Sequence, residues 1–151
     1  MVFRAIEDAK VHAKEPDRNF GSSNLQVRND DRQSYVRFDL TGTRGRPIVR
    51  ALLRLYLTHA SPSSGFAYQT DADWSEATLT WNTRPTPVEP PLESGGVAEA
   101  GGYVTYDVTA AAFTDGPISF VLRAGLNKSV MFASIETDAA RRPELEITFG
   151  P

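Results

Sequence analysis

The sequence predicts an all-β fold, a two-sheet β-sandwich of jelly-roll type with about nine antiparallel strands. Short windows of the chain alternate apolar and polar residues, which is the period expected of strands with one buried face. Eleven glycines and ten prolines among 151 residues are spread between these windows, and they suit tight turns better than helices. Apolar residues at helical spacing are scarce, so the sequence argues against a helix bundle.

The clearest strand runs from Tyr35 to Leu40, because its apolar residues fall at every second position. The same reasoning predicts eight further strands, at Ile6–Val11, Leu25–Arg28, Ala51–Leu57, Phe66–Tyr68, Tyr103–Val108, Pro117–Arg123, Val130–Glu136 and Pro143–Phe149. Segment Ala51–Leu57 fits a helix less well than a strand, and Thr109–Phe113 has room for one helical turn. The proline- and glycine-rich segment Arg84–Gly102 is predicted to be a loop.

Length and charge limit what the chain can be. We expect one compact domain over residues 1–151, excised from a larger secreted or cell-surface protein. The formal net charge of -3 argues against a general nucleic-acid-binding protein. The chain has no apolar run of signal-peptide or membrane-span length, so no membrane insertion is expected. The absence of cysteine excludes disulfides and thiolate metal sites.

Eight pieces of the sequence, in this order, resemble the DNRLRE family of extracellular modules, which includes alginate-binding carbohydrate-binding modules. They are Glu7–Val11, Asn19–Gly21 with Leu25–Val27, Arg32–Leu40, Ala51–Tyr56, Trp74–Glu76, Leu79–Trp81, Tyr106–Thr109, and Phe132–Ser134 with Arg142–Leu145. The resemblance implies a jelly-roll-like sandwich that binds a polysaccharide without cleaving it. It also implies an extracellular location and tethering to catalytic or surface domains of the parent chain.

The strand pattern places arginine and tyrosine side chains on one outward face, if the strands that carry them are neighbours. Guanidinium groups pair with carboxylates, and aromatic rings stack on the C–H faces of sugars. We therefore expect an acidic polysaccharide, such as alginate or another uronate polymer, to bind there. The predicted ligand-binding residues are Arg28, Tyr35, Arg37, Arg54, Tyr56 and Trp74.

A structural interpretation competes with this one at each position. The same arginines could pair with Glu7, Asp39 or Glu144 on a solvated sheet. Trp81 is predicted to pack in the core, whereas burial and sugar stacking are equally open for Trp74. A structural or adhesive module with no glycan ligand is therefore the alternative function.

Metal and catalytic motifs are weak. Asp8, Asp30 and Asp31 offer oxygen ligands of the type that calcium prefers, so a structural Ca²⁺ could bind there. Turn formation explains these acids better than metal binding does. We predict that no cofactor is required. The chain has two histidines, no cysteine and no nucleophile-elbow motif, so we predict that it is not an enzyme. A small polysaccharide lyase using Tyr35, Arg37 and His59 is the second alternative.

Overall fold

A computed structural model describes residues 1–29, 31–59, 64–94, 101–124 and 129–151, and these residues form an almost entirely β structure. The predicted all-β class is confirmed. The eleven strands of the described residues, numbered β1 to β11 in chain order, are Val2–Arg4, Glu7–His12, Leu25–Val27, Arg32–Asp39, Ile48–Tyr56, Phe66–Thr70, Val88–Ser94, Tyr103–Asp107, Pro117–Arg123, Val130–Phe132 and Glu144–Phe149. A short 3₁₀ helix, Ala139–Arg141, precedes β11. Across these described ranges, no helix is long and apolar enough to span a bilayer.

The strands form two main antiparallel sheets. A four-stranded sheet has the order β1-β11-β5-β8, and a five-stranded sheet has the order β2-β4-β9-β6-β7. The pair β3 and β10 forms a two-stranded ribbon, which joins the end of β5 through a bridge between Leu57 and Phe132. The ribbon therefore extends the four-stranded sheet toward the five-stranded one.

Apolar side chains from both main sheets meet in one core. On β5, Leu53 and Leu55 are fully buried, and on β4 so are Val36 and Phe38. These residues fall at alternate positions, so each strand presents an apolar row to the opposite sheet. The core that the alternation predicts is the core that the structure contains.

A second apolar layer covers the outer face of the five-stranded sheet. Residues 71–87 connect β6 to β7, and within them Trp74 and Leu79 pack against Tyr35 and Val121. The Trp74 side chain is only 8% exposed, and its Nε1 donates a hydrogen bond to Ser119 Oγ at 2.8 Å. Both faces of β4 are consequently buried, although the alternation of apolar and polar residues along this strand predicts only one buried face.

The structure corrects several details of the predicted elements; the predicted strand Val130–Glu136, for example, ends at Phe132. The segment predicted as loop contains β7, which pairs with β6 at the sheet edge, where prolines are tolerated because no further strand needs their missing N–H groups. Strand β1 was not predicted, since three residues are too few to show alternation. The segment Thr109–Phe113 forms turns rather than a helical turn.

Candidate functional site

The six predicted ligand-binding residues do not share one surface. Strand β4 carries Tyr35 and Arg37, whereas β5 carries Arg54 and Tyr56, and the two strands belong to different sheets. The expectation that these strands are neighbours is wrong, because β4 pairs with β2 and β9 while β5 pairs with β8 and β11. The predicted single face is therefore divided between two sheets.

Two of the predicted aromatic residues lie beneath the covering segment. Tyr35 is fully buried, and its hydroxyl donates a hydrogen bond to the Pro85 carbonyl at 2.8 Å. Its ring meets Trp74 edge to face, with centroids 5.9 Å apart. Burial raises the pKa of the Tyr35 hydroxyl well above its usual value. The Tyr35 ring has no exposed surface for a sugar, and the Trp74 ring has little.

Arg37 holds the covering segment to the sheet. Its guanidinium forms an ion pair with Glu7, its neighbour in the β2–β4 register, and donates hydrogen bonds to the carbonyls of Ala72, at 3.1 Å, and Trp74. Glu7 in turn accepts a hydrogen bond from the Glu76 backbone N–H at 2.9 Å. These contacts match the structural interpretation of Arg37, in a pair that is largely buried rather than solvated.

The substitution Arg37→Ala is expected to destabilise the fold by about 1.5–3 kcal/mol, because it removes hydrogen bonds to a charged group and leaves Glu7 unpaired. Urea denaturation of the variant and the native chain measures the change. The matched control is Arg50→Ala, which removes an exposed guanidinium from β5 and should change stability by less than about 0.5 kcal/mol. Equal stability of the two variants would contradict the clamping role of Arg37.

An exposed cluster lies on the outer side of the four-stranded sheet. We call Arg54, Tyr56, Tyr103 and Arg141 the tyrosine–arginine face. Tyr56 and Tyr103 are register partners, and their rings meet edge to face with centroids 5.4 Å apart. The guanidinium carbon of Arg54 lies 4.6 Å from the Tyr103 ring centroid, and that of Arg141 lies 4.7 Å from the Tyr56 centroid. Partly exposed rings on a rigid sheet suit sugar stacking.

The charges of the tyrosine–arginine face are already compensated. Arg54 Nη1 lies 3.5 Å from a carboxylate oxygen of Glu144 and 3.8 Å from one of Glu146. Arg141 Nη1 lies 3.5 Å from a carboxylate oxygen of Asp138. This face therefore offers aromatic surface more than free positive charge.

A second cluster gathers more positive than negative charge. A cavity of about 230 Å³, which we call the basic pocket, is lined by Lys10, His12, Glu15, Phe20, Gln26 and Arg32. Lys10 Nζ lies 5.4 Å from the centroid of the Phe20 ring, and the Arg18 guanidinium carbon lies 4.8 Å from it. Two cationic side chains thus lie against one aromatic ring, and a third, Arg32, lines the same cavity.

The carboxylate of Glu15 is occupied, because it forms an ion pair with Arg18 at 3.0 Å. Lys10 Nζ donates to the amide oxygen of Asn24 at 3.3 Å, and neither it nor Arg32 has a carboxylate partner within the part of the chain that the structure describes. Burial, followed by the nearby Arg32 and Arg18 cations, lowers the pKa of Lys10. The pocket would favour an anion that pairs with Lys10 and Arg32.

The β3–β10 ribbon joins the basic pocket to the tyrosine–arginine face. Gln26, which lines the pocket, is the register partner of Met131, and the Met131 carbonyl accepts a hydrogen bond from the Thr58 N–H at 2.9 Å. Thr58 lies two residues beyond Tyr56, on the same side of the chain. Two strand spacings, about 10 Å, separate β5 from β3 across this ribbon.

Of the other predicted site residues, Arg28 is joined through its backbone to Arg32, which lines the pocket. It follows β3, and its backbone N–H donates to the Arg32 carbonyl at 3.0 Å. Trp81, which was predicted to pack in the core, is half-buried against the second apolar layer, and the Arg84 guanidinium carbon stacks 3.5 Å from its ring centroid.

The residues proposed for a lyase are not brought together. Tyr35 and Arg37 lie under the covering segment of the five-stranded sheet, whereas His59 is exposed beyond the end of β5 in the other sheet.

Of the predicted calcium ligands, Asp30 lies outside the described residues. Asp31 joins no cluster of three acids among those described, while Asp8 lies close to Glu76 and Glu136.

The fold is a β-sandwich module that carries an aromatic face and a basic pocket. The comparison with protein families makes this specific, because the model of carbohydrate-binding module family 96 matches residues 1–149. The chain belongs to that family, and it is therefore a carbohydrate-binding module, a class that binds glycans without cleaving them. A search of curated proteins found no match.

Proposed function

We propose that this module binds an acidic polysaccharide, with a uronate carboxylate in the basic pocket and a neighbouring sugar ring on the tyrosine–arginine face. The observation that carries the proposal is the pair Lys10 and Arg32, two cations of the basic pocket that form no ion pair with any described carboxylate, since the nearby Glu15 pairs with Arg18. Cations gathered without acidic partners repel each other, and a bound anion relieves that repulsion. A neutral glycan would leave this charge without a partner.

The ligand would lie across the β3–β10 ribbon. Lys10 and Arg32 supply charged donors that suit a carboxylate. The Gln26 side chain is buried and donates to Ser129 Oγ at 2.9 Å, so it shapes the pocket between the two clusters rather than binding sugar. Tyr56 and Tyr103 supply flat apolar surface for the C–H groups of a sugar. Arg54, a member of the tyrosine–arginine face, and Arg28, the backbone partner of Arg32, keep their predicted role as contacts for the polymer.

Alginate or another uronate polymer fits this chemistry, since it repeats a carboxylate along the chain. The proposal includes a secreted or cell-surface location and tethering to another domain. A non-catalytic module of this kind acts by raising the effective concentration of its neighbour at the polymer.

Isothermal titration calorimetry and affinity electrophoresis with alginate, polygalacturonate and a neutral β-glucan test the proposal. We expect binding to the two uronate polymers that weakens as salt rises, because charged contacts are screened, and little binding to the neutral glucan. Equal binding to all three polymers would contradict the carboxylate site. Binding to none would favour the structural or adhesive module, and a new ultraviolet absorbance from an unsaturated product would favour the lyase.

A further inference from the structure

Three carboxylates meet outside the proposed glycan site. Asp8 on β2, Glu76 in the covering segment and Glu136 after β10 each bring a carboxylate oxygen within 4.8 Å of the other two. The backbone contacts between them are short, since Asp8 N–H donates to Glu76 Oε1 at 3.0 Å and Ile135 N–H donates to Asp8 Oδ2 at 3.0 Å. We call these three residues the carboxylate trio.

The trio lacks the partners that buried charge requires. Asp8 is fully buried, and its Oδ1 accepts no hydrogen bond from the described part of the chain. No described lysine or arginine forms an ion pair with any of the three acids. An unpartnered buried carboxylate oxygen beside two further carboxylates is costly unless a proton or a cation joins them.

The pKa of Asp8 is raised to about 8, mainly by burial; the hydrogen bond from Ile135 N–H opposes this rise, and the negative charge of Glu136 adds to it. Burial also raises the pKa of Glu76, and its contact with Glu136 acts in the same direction. These shifts reflect burial first and mutual repulsion of the carboxylates second, and a bound cation would offset both. The proximity of the three carboxylates is a matter of the geometry and does not depend on these pKa shifts.

We propose that the carboxylate trio binds one Ca²⁺ ion, which ties β2, the covering segment and the β10–β11 connection together. The ligands are all oxygens, which suit calcium and argue against zinc, whose sites favour histidine and cysteine. Calcium takes six to eight oxygen ligands in flexible geometry, whereas magnesium demands a near-ideal octahedron, so ligands drawn from three separate elements suit calcium better. Glu136 is exposed, so water can complete the shell.

The site has a structural consequence for the covering segment. The carbonyl of Glu76 accepts a hydrogen bond from Asn19 Nδ2 at 2.8 Å, and it lies so close to Gly21 that a side chain there would collide with it, at 2.3 Å from an added Cβ. The segment is thus seated tightly beside the trio. A calcium ion at the trio would fasten the segment whose Trp74 buries the outer face of β4.

The test uses the full chain, stripped with a chelator and desalted, then titrated with CaCl₂ by calorimetry and followed by thermal unfolding. We expect a stoichiometry of one and a rise in Tm with calcium. At a free calcium concentration 100 times the Kd, the unfolding equilibrium constant should fall about 100-fold. Magnesium at the same concentration should give a much smaller shift.

The variant Glu136→Gln separates calcium binding from folding, because this residue is exposed. It should lose most of the calcium-induced rise in Tm, yet be as stable as the native chain or more so in chelator, since one repelling charge is gone. Asp73→Asn, an exposed acid of the same covering segment, is the matched control and should keep the full response to calcium.

Two results would overturn the proposal. One is a calcium-induced rise in Tm that survives in Glu136→Gln, which would place the ion elsewhere. The other is a Tm that does not change when calcium is added and that falls by the same amount, with or without calcium, as the pH rises from 5 to 8. In that case the trio only shares a proton. Asp8 would stay protonated in the folded state but ionise near pH 4 in the unfolded state, so the folded state would lose stability as the pH rises.

Discussion

Replacing Trp74 with alanine is expected to lower the free energy of unfolding by about 3–5 kcal/mol, the usual cost of removing a buried aromatic ring. The ring is 8% exposed, packs on Tyr35 at 5.9 Å and donates a hydrogen bond to Ser119. Its loss opens a cavity over β4 and removes one of the two hydrogen bonds that Ser119 Oγ accepts, the other coming from Thr70. Such a loss is a large share of the stability of an ordinary domain, about 5–15 kcal/mol.

Urea denaturation measures this change. The matched control is Tyr103→Ala, which removes a partly exposed ring from the other sheet and should cost much less stability. Trp74→Phe, which keeps a buried ring, should recover most of the lost stability and bind glycan with native affinity. If the Trp74→Ala chain instead kept native stability but lost glycan binding, the result would support the ligand-binding role that the sequence left open for Trp74.

The second large effect is expected at Arg32. The substitution Arg32→Ala should raise the Kd for a uronate polymer about 10- to 100-fold, since a hydrogen bond to a charged group contributes about 1.5–3 kcal/mol. Stability should change little, because the Arg32 side chain makes no hydrogen bond or ion pair with the described residues. Calorimetry at two salt concentrations measures both the affinity and its electrostatic part.

The comparison with Tyr56→Ala makes this test specific to charge. Removing the Tyr56 ring should weaken binding while leaving the salt dependence intact, whereas removing Arg32 should weaken binding and reduce the salt dependence together. Arg50→Ala again serves as the control for general loss of positive charge. If Arg32→Ala and Arg50→Ala bind alike, the basic pocket is not where the carboxylate is held.

Alternation in the sequence determined much of the fold. The spacing of Val36 and Phe38 on β4, and of Leu53 and Leu55 on β5, predicts which side chains enter the core. This succeeds because the faces of a strand are a local property, set by a period of two residues. Short or proline-containing strands such as β1 and β7 carry too little of that period to be predicted.

The resemblance of the sequence to extracellular glycan-binding modules also predicted the class of protein, which the match over residues 1–149 confirms. The binding residues are a different matter. Arginine and tyrosine were correctly seen to alternate with the core on β4 and β5, but the sequence could not say that the two strands lie in different sheets.

Only the tertiary structure decided which polar residues meet. Lys10 and Arg32 line one cavity because β2 pairs with β4 so that His12 lies opposite Arg32, and Tyr35 is hidden because a segment about 40 residues later folds over it. The carboxylate trio likewise joins residues 8, 76 and 136. Strand pairing and loop placement depend on how the whole chain buries its apolar surface, and a local pattern carries no record of that.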